Sequence, residues 1–452
     1  MLSTIQSYLF GSVFRRGASL LTTLTIASYA LGLVRDMVFS RVLGAGRLLD
    51  VYNAAFIIPD VLLNVFIAGA LAAAFVPIFT QLLAKGQRTD AEELAATMLW
   101  GAPVAMLLIG IVAFIWMPSF AGMVAPGFNE VDRLLLIELS RFMLLSPILF
   151  AISNTLGSIL VSMERFTGYG LSPVFYNLGI IGGAFLVAPF GPRGLVLGTL
   201  LGAALHLLTR AIALLRSGFR PRGPVSLSNI HFREVLRLMI PRMAGQPVEQ
   251  LTFFLFTNLA SSLAVGSIAI LSFARNFESV PVSVFGISFA TAVFASLARS
   301  AAINDDATFI RTLREAARPL AIVTVLATTF YIIAGPFIIK ILLGGGRFGP
   351  EQIAATASLL AWFSLAIPAE AFIHLLVRAF YALKDTWTPV LISVPGLGLI
   401  WVVAQALMPT MGLDGLGLSY AATTSIEAVL LLILLRRKLR IHRGNSPSVE
   451  IV

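Results

Sequence analysis

Residues 51–84 read VYNAAFIIPDVLLNVFIAGALAAAFVPIFTQLLA, thirty-four residues with one charged side chain, Asp60, beside Pro59. A helix needs about 20 mostly apolar residues to cross a bilayer core of about 30 Å, and this stretch exceeds that length. Working outward, stretches of the same kind run over 17–44, 93–121, 134–161, 170–190 and 194–215. Six more follow at 235–263, 267–298, 317–343, 353–383, 387–408 and 412–435. The pattern predicts an all-α integral membrane protein with about twelve transmembrane helices.

Composition agrees. Of 452 residues, 58% are apolar and 12% charged, against about 45–50% and about 25% in soluble domains, which excludes a water-soluble enzyme. With Cys 0, disulfides, Cys-ligated zinc and thiol catalysis are excluded. The net charge of +10 comes from basic residues in short clusters between apolar runs, a pattern of membrane topology rather than of nucleic-acid binding. No Walker A loop, HExxH or GxSxG occurs. The sequence therefore points to a transporter, not an enzyme, with no cofactor or metal, driven by an ion gradient, the membrane potential or the substrate's own gradient.

With the N-terminus placed inside, twenty Lys and Arg fall in inside segments and seven in outside ones, which predicts both termini in the cytoplasm. The longest polar interruption, residues 216–234, divides the stretches six and six. The organisation expected is an N-terminal cytoplasmic or interfacial segment (1–16), an N-lobe (17–215), a cytoplasmic linker (216–234), a C-lobe (235–436) and a cytoplasmic tail (437–452). An offset near 220 places LGAG over LAVG, with Gly46 over Gly266 and Ala54 over Ala274. Two six-helix lobes related by such a parallel pseudo-repeat would enclose a central cavity and work by alternating access.

Ionisable residues at membrane depth are costly by roughly 2.5–3.5 kcal/mol on insertion scales, so each must face protein, water or a ligand. The cavity candidates are Arg35 and Asp36, Asp60, Arg242 and Glu249 two helical turns apart, and Arg275 and Glu278 three apart. Asp50 and the four-residue stripe Glu370, His374, Arg378 are secondary candidates. Each also has a plainer reading: Arg35–Asp36 and Arg275–Glu278 as structural ion pairs, the stripe as interhelical hydrogen bonds. His206 and Glu427 read as packing residues, and Arg141 and Arg210 as snorkelling ones.

At ALGLVRD (30–36) and RVLGAGRLLDVYNAAFIIPDVLLNVFIAGALAAAFVPIF (41–79) the sequence resembles the MurJ (MviN) lipid II flippase family. Later segments are similar too: SPVFYNLGIIGG (172–183), LGTLLGAALHLL (197–208), LASSLAVGSIAILSFARNFESVPVSVFGISFATAVFASLARS (259–300) and RAFYALKDTWTPV (378–390). The resemblance implies a two-lobed transporter of the multidrug/oligosaccharidyl-lipid/polysaccharide (MOP) exporter superfamily in the bacterial inner membrane. Its substrate would be lipid II, the undecaprenyl-pyrophosphate-linked peptidoglycan precursor, moved from the inner to the outer leaflet. By the same likeness Arg35 and Asp36 match the family's first-span arginine and aspartate, and Asp50 its outer-loop aspartate. Tyr29 and Leu63 stand where the family commonly has arginines, Asn276 aligns with its eighth-span arginine, and many members have fourteen spans.

The partners implied are a polyprenyl-pyrophosphate saccharide, membrane lipids and other cell-wall synthesis proteins, with no nucleic acid. Coupling to the membrane potential or a monovalent ion is the expected drive. Other readings are a flippase for another polyprenyl-linked glycan, an ion-coupled multidrug exporter of the same superfamily, or a non-transporting scaffold for cell-wall enzymes. Organic-cation export would want a cavity of carboxylates and aromatics, whereas 28 of the 32 basic residues here are Arg, suited to forked binding of phosphate oxygens.

Overall fold

The computed structural model describes residues 12–65, 69–243 and 247–444, with side chains from residue 20 to 439 except at 66–70, 241–242 and 244–249. These residues are helices joined by short connections, with one isolated β-bridge between Gly345 and Phe348. They fall into two compact units, one running to Gly266 and including Gly345–Phe348, the other comprising Ser267–Gly344 and the chain from Gly349 on. The helices at Ile230–Met243 and Pro247–Ala260 lie in the first of these contact units.

The first unit holds α1 (Ser12–Leu43), α2 (Arg47–Leu63), α3 (Gly69–Ala84), α4 (Arg88–Val124), α5 (Glu130–Met143), α6 (Leu145–Ser162), α7 (Phe166–Phe190), α8 (Arg193–Arg216), α9 (Ile230–Met243) and α10 (Pro247–Ala260). One buried cluster sets Phe75 and Phe79 of α3 against Leu94 and Met98 of α4, Phe219, and Phe232 and Val235 of α9. That packing explains why α9 joins this unit: its apolar face has its partners on α3 and α4. The turn from α1 into α2 uses Gly44 in the left-handed region, where a Cβ would meet Arg347 O at 2.7 Å.

Helices α7 and α8 meet along glycines four residues apart. A Cβ on Gly179 would lie 2.2 Å from Gly202 Cα, and one on Gly198 2.2 Å from Gly183 Cα. In lipid, where apolar side chains gain nothing by leaving their solvent, such small-residue seams let backbones supply the packing attraction. Gly198→Val forces the helices apart, and we expect a loss of about 3 kcal/mol of stability. The mid-point of thermal unfolding in detergent measures it, with Gly182→Val, where a Cβ has open space, as the control expected to unfold like the parent.

The second unit holds α11 (Ser267–Pro281), α12 (Ser288–Ala302), α13 (Asp306–Leu342), α14 (Pro350–Ser364), α15 (Ile367–Ala382), α16 (Trp387–Met411) and α17 (Leu413–Gly444). Between α11 and α12 the chain winds as a π-helix over Val282–Ile287. Pro281, which has no backbone N–H, disturbs the hydrogen-bond ladder there. The wide turn sets Gly286 so close to α15 that a Cβ would lie 2.9 Å from Ala371 Cα. Helices α14 and α15 are bent by 42° at their break, with Pro368 at the start of α15.

Asp385 precedes α16 and accepts from Thr388 N at 3.0 Å and from Lys438 of α17. Burial would raise its carboxyl, but the Lys438 ammonium and the Thr388 hydrogen bonds outweigh it and hold it at about 2, below 3.8. A carboxylate with a depressed value stabilises the fold above its unfolded titration and loses that contribution as pH falls through its folded one. Detergent-solubilised protein is therefore expected to lose this contribution between about pH 4 and about pH 2. Asp385→Asn is expected to lack it at every pH and to show a shallower acid transition, read from unfolding temperature against pH.

Eight helical segments among the described residues are long and apolar enough to cross a membrane, nine if α14 with α15 is one span. α1, α2 with α3, and α9 with α10 are not among them. The last two pairs are each interrupted at residues, 66–68 and 244–246, outside the described ones. Large apolar side chains stand exposed along α4, at Trp100, Leu108, Ile115 and Trp116, and along α13, at Leu326, Phe330, Ile333 and Phe337. Continuous apolar exposure of this kind belongs to lipid-facing helices.

Candidate functional site

In the first unit a polar group forms inside the helices. Arg35 of α1 donates through Nε and Nη2 to the same oxygen of Asp36, at 3.0 and 2.9 Å. Asp36 is buried, while 27% of the Arg35 side chain is exposed. Across from this pair Tyr52 of α2 is buried and shares a 2.8 Å hydrogen bond with Thr199 of α8. Its ring is held edge-on by Phe39 and Phe56. Asp60, half-buried, follows Pro59 within α2. Tyr52 and Tyr176 of α7 each interact electrostatically with both Arg35 and Asp60. Chemically the set presents one guanidinium that is partly solvated, phenol hydroxyls and a carboxyl, groups that can bind and orient a hydrated anion.

Three other polar residues of this unit serve the scaffold. Asp50, in the first turn of α2, accepts from Gly266 N at 2.6 Å, and Arg47 beside it reaches Asp132 at 3.1 Å. His206 is buried and bonded to Ser153 at 2.8 Å, a packing histidine. Arg210, expected to snorkel, is instead 4% exposed. It donates to Ser172 Oγ, Ser153 O and Asn154 Oδ1 and lies 4.7 Å over the Tyr169 ring. Gly157 makes room for it, since a Cβ there would meet its Nη1 at 2.6 Å.

The second unit holds a drier cluster. Arg275 of α11 donates through Nη1 to Glu278 at 2.6 Å and lies 3.6 Å from Glu370 of α15. Its guanidinium sits 4.7 Å over Tyr420 and 5.6 Å over Phe363, and Tyr420 donates to Glu370 at 2.8 Å. The bend before α15 matters here, because it puts Glu370 in the first turn of a helix, where the backbone dipole favours a carboxylate. The stripe Glu370, His374, Arg378 divides: Glu370 joins the cluster, while Arg378 reaches Thr291 of α12 at 2.9 Å. Glu427 of α17 is bonded to Ser393 of α16. The side chains of Arg242 and Glu249, on α9 and α10, lie outside the described residues.

The structure thus joins Arg35 with Asp36 in one unit, with Asp60 linked to them only through Tyr52 and Tyr176, and Arg275 with Glu278 and Glu370 in the other. The tyrosines were missed in the sequence. Only 8 occur in the chain, and a tyrosine inside an apolar span needs a partner for its hydroxyl, which is the signal that marks Tyr52, Tyr176 and Tyr420.

The profile of the family described as Lipid II flippase MurJ matches residues 39–451. The chain belongs to that family. The probable lipid II flippase MurJ of Treponema pallidum (strain Nichols) is 24% identical over 431 residues, covering 93% of this chain and 82% of its own. That of Buchnera aphidicola is 27% identical over 434 residues, covering 95% and 85%. The solved lipid II flippase MurJ in an inward closed conformation has a TM-score of 0.79 at 22% identity over 94% of this chain and 90% of its own. An inward-facing multidrug resistance MATE family transporter of the MOP superfamily has a TM-score of 0.78 at 15% identity, covering 93% and 96%. These likenesses show a shared all-helical fold.

Against the MurJ family pattern, the departures have local explanations. Tyr29 is exposed on α1. Leu63 packs beside the buried cluster of α3 and α4, a place that would not hold an unpaired arginine. Arg275 is taken up inside its own unit by Glu278 and Glu370.

Proposed function

We propose that this protein flips lipid II, or a closely related polyprenyl-pyrophosphate saccharide, from the inner to the outer leaflet of the bacterial inner membrane. Membership of the MurJ family over residues 39–451 is the observation that carries this reading. The finer arrangement proposed is twelve spans in two six-helix lobes with both termini cytoplasmic. Arg35 is assigned to the pyrophosphate, with Asp36 holding its guanidinium and Asp60 and the tyrosines lining the polar path. A pyrophosphate carries on the order of two negative charges, and guanidinium donors replace the hydration it gives up. An inside-negative potential favours outward movement of an anion by roughly 2.3 kcal/mol per charge per 100 mV, so no ATPase site and no cofactor is needed.

The test is reconstitution of the full chain in vesicles with lipid II labelled on its saccharide. Lipid II placed in one leaflet is expected to become accessible in the other, faster under an imposed potential. Movement no faster than in protein-free vesicles would refute the reading. In the host, depletion is expected to leave the undecaprenyl-linked precursor accumulated in the inner leaflet.

A further inference from the structure

The cluster of the second unit has one more negative charge than positive. Arg275 is 6% exposed and Glu278 fully buried, and the single guanidinium serves both Glu278 and Glu370. Among the remaining described neighbours, the imidazole of His374 is the group able to add positive charge. Tyr420 donates its hydroxyl to Glu370, and Tyr331 of α13 donates to Phe277 O at 2.8 Å. Glu427 adds a further carboxyl towards Glu370. His374 lies one turn after Glu370 on the same helix and interacts with it electrostatically.

Two observations locate the missing charge. Oε1 of Glu278 is buried and, among the described residues, receives no hydrogen bond. Both carboxyls converge on one nitrogen, Nη1 of Arg275, at 2.6 Å for Glu278 and 3.6 Å for Glu370. Two carboxylates are both acceptors, so they can bond only when one of them carries a proton. Two carboxylates sharing one dry site resist ionising together.

We propose that Glu278 and Glu370 form a one-proton site beside Arg275, and that this proton is exchanged with water during the transport cycle. In the loaded state one carboxyl is an acid that donates to the other, and the pair and Arg275 are together neutral. On release the O–H bond breaks, the proton passes to water, and two carboxylates face one guanidinium. That state needs Arg275 and Tyr420 drawn closer or water admitted, and either movement shifts α11 against α15 and α17. The two groups titrate as a pair, so the proton belongs to neither residue alone. The exchange half of the proposal rests on the transporter reading; the protonation half does not.

Infrared difference spectroscopy on the full chain in lipid nanodiscs tests the protonation half. The parent is expected to show a deuterium-sensitive band of a protonated carboxylic acid at neutral pH. Glu278→Gln and Glu370→Gln are each expected to lose that band entirely, because the carboxylate left behind pairs one-to-one with Arg275. Two independently protonated acids would lose only half on each substitution, and a band untouched by either would place the proton elsewhere; both results overturn the proposal. Glu370→Asp, which keeps the carboxyl, is expected to move the band rather than remove it, and covers the case in which a glutamine variant does not fold. A band that disappears on adding sodium or potassium ions to the parent would make this a metal-cation site and also overturn the proposal.

For the exchange half, vesicles containing lipid II and a trapped pH dye are expected to report proton movement with each parent turnover. Glu370→Gln is expected to abolish that proton movement. Lipid movement without proton movement in the parent overturns the exchange half. Absence of lipid movement in the parent defeats the transport reading instead and leaves the infrared result standing.

Discussion

Arg275→Met is expected to lower the stability of the protein by about 3–5 kcal/mol, the range found when one partner of a buried ion pair is removed. The substitution keeps the length and apolar bulk of the side chain, so Tyr420 and Phe363 retain a neighbour. What it removes is the guanidinium that touches both Glu278 and Glu370. Thermal unfolding in detergent reads the loss. A second substitution separates charge from packing: Arg275→Met with Glu278→Gln leaves one carboxyl, already bonded by Tyr420, and is expected to recover most of the difference. Equal losses in the single and double variants would mean that packing of the guanidinium, not its charge, holds the cluster.

Arg35→Ala is expected to leave folding intact and remove transport. Its guanidinium spends one edge, Nε and Nη2, on Asp36. The other edge makes no hydrogen bond among the described residues, and the side chain is 27% exposed in an otherwise apolar span. That is the geometry of a donor kept for a ligand. Losing a buried hydrogen-bonded charge pair with the substrate costs about 2–5 kcal/mol, which is on the order of a hundredfold or more in rate or affinity. Leaflet exchange of lipid II in vesicles should fall to the protein-free rate, with the unfolding temperature close to that of the parent. Arg35→Lys keeps the charge but not the fork, and an intermediate rate is expected.

The helical, membrane-spanning character was legible in the sequence because it rests on one dominant signal, long apolar runs broken by short basic clusters. The pairing of Arg35 with Asp36, and of Arg275 with Glu278, was legible for a related reason: neighbours in sequence must be neighbours in space. What could not be read was which residues from distant helices close each group. Tyr52 with Thr199, or Glu370 with Arg275, are joined by packing between α2 and α8 or α11 and α15, and no periodicity within one helix encodes that. Phe232 and Val235 of α9 pack with α3 and α4 for the same kind of reason, which the hydropathy break at 216–234 does not encode. Arg210 was misread because burial of a long cation depends on a cage built from two other helices, α6 and α7.

The glycine contacts between α7 and α8 have a mechanical consequence. Two rods touching backbone to backbone along several turns have no compliant layer of side chains to shear, so a push on one is delivered to the other without slip. Whatever tilts the end of α8 therefore turns α7 by the same amount, and a lipid tail pressing against the pair finds no crevice to wedge open.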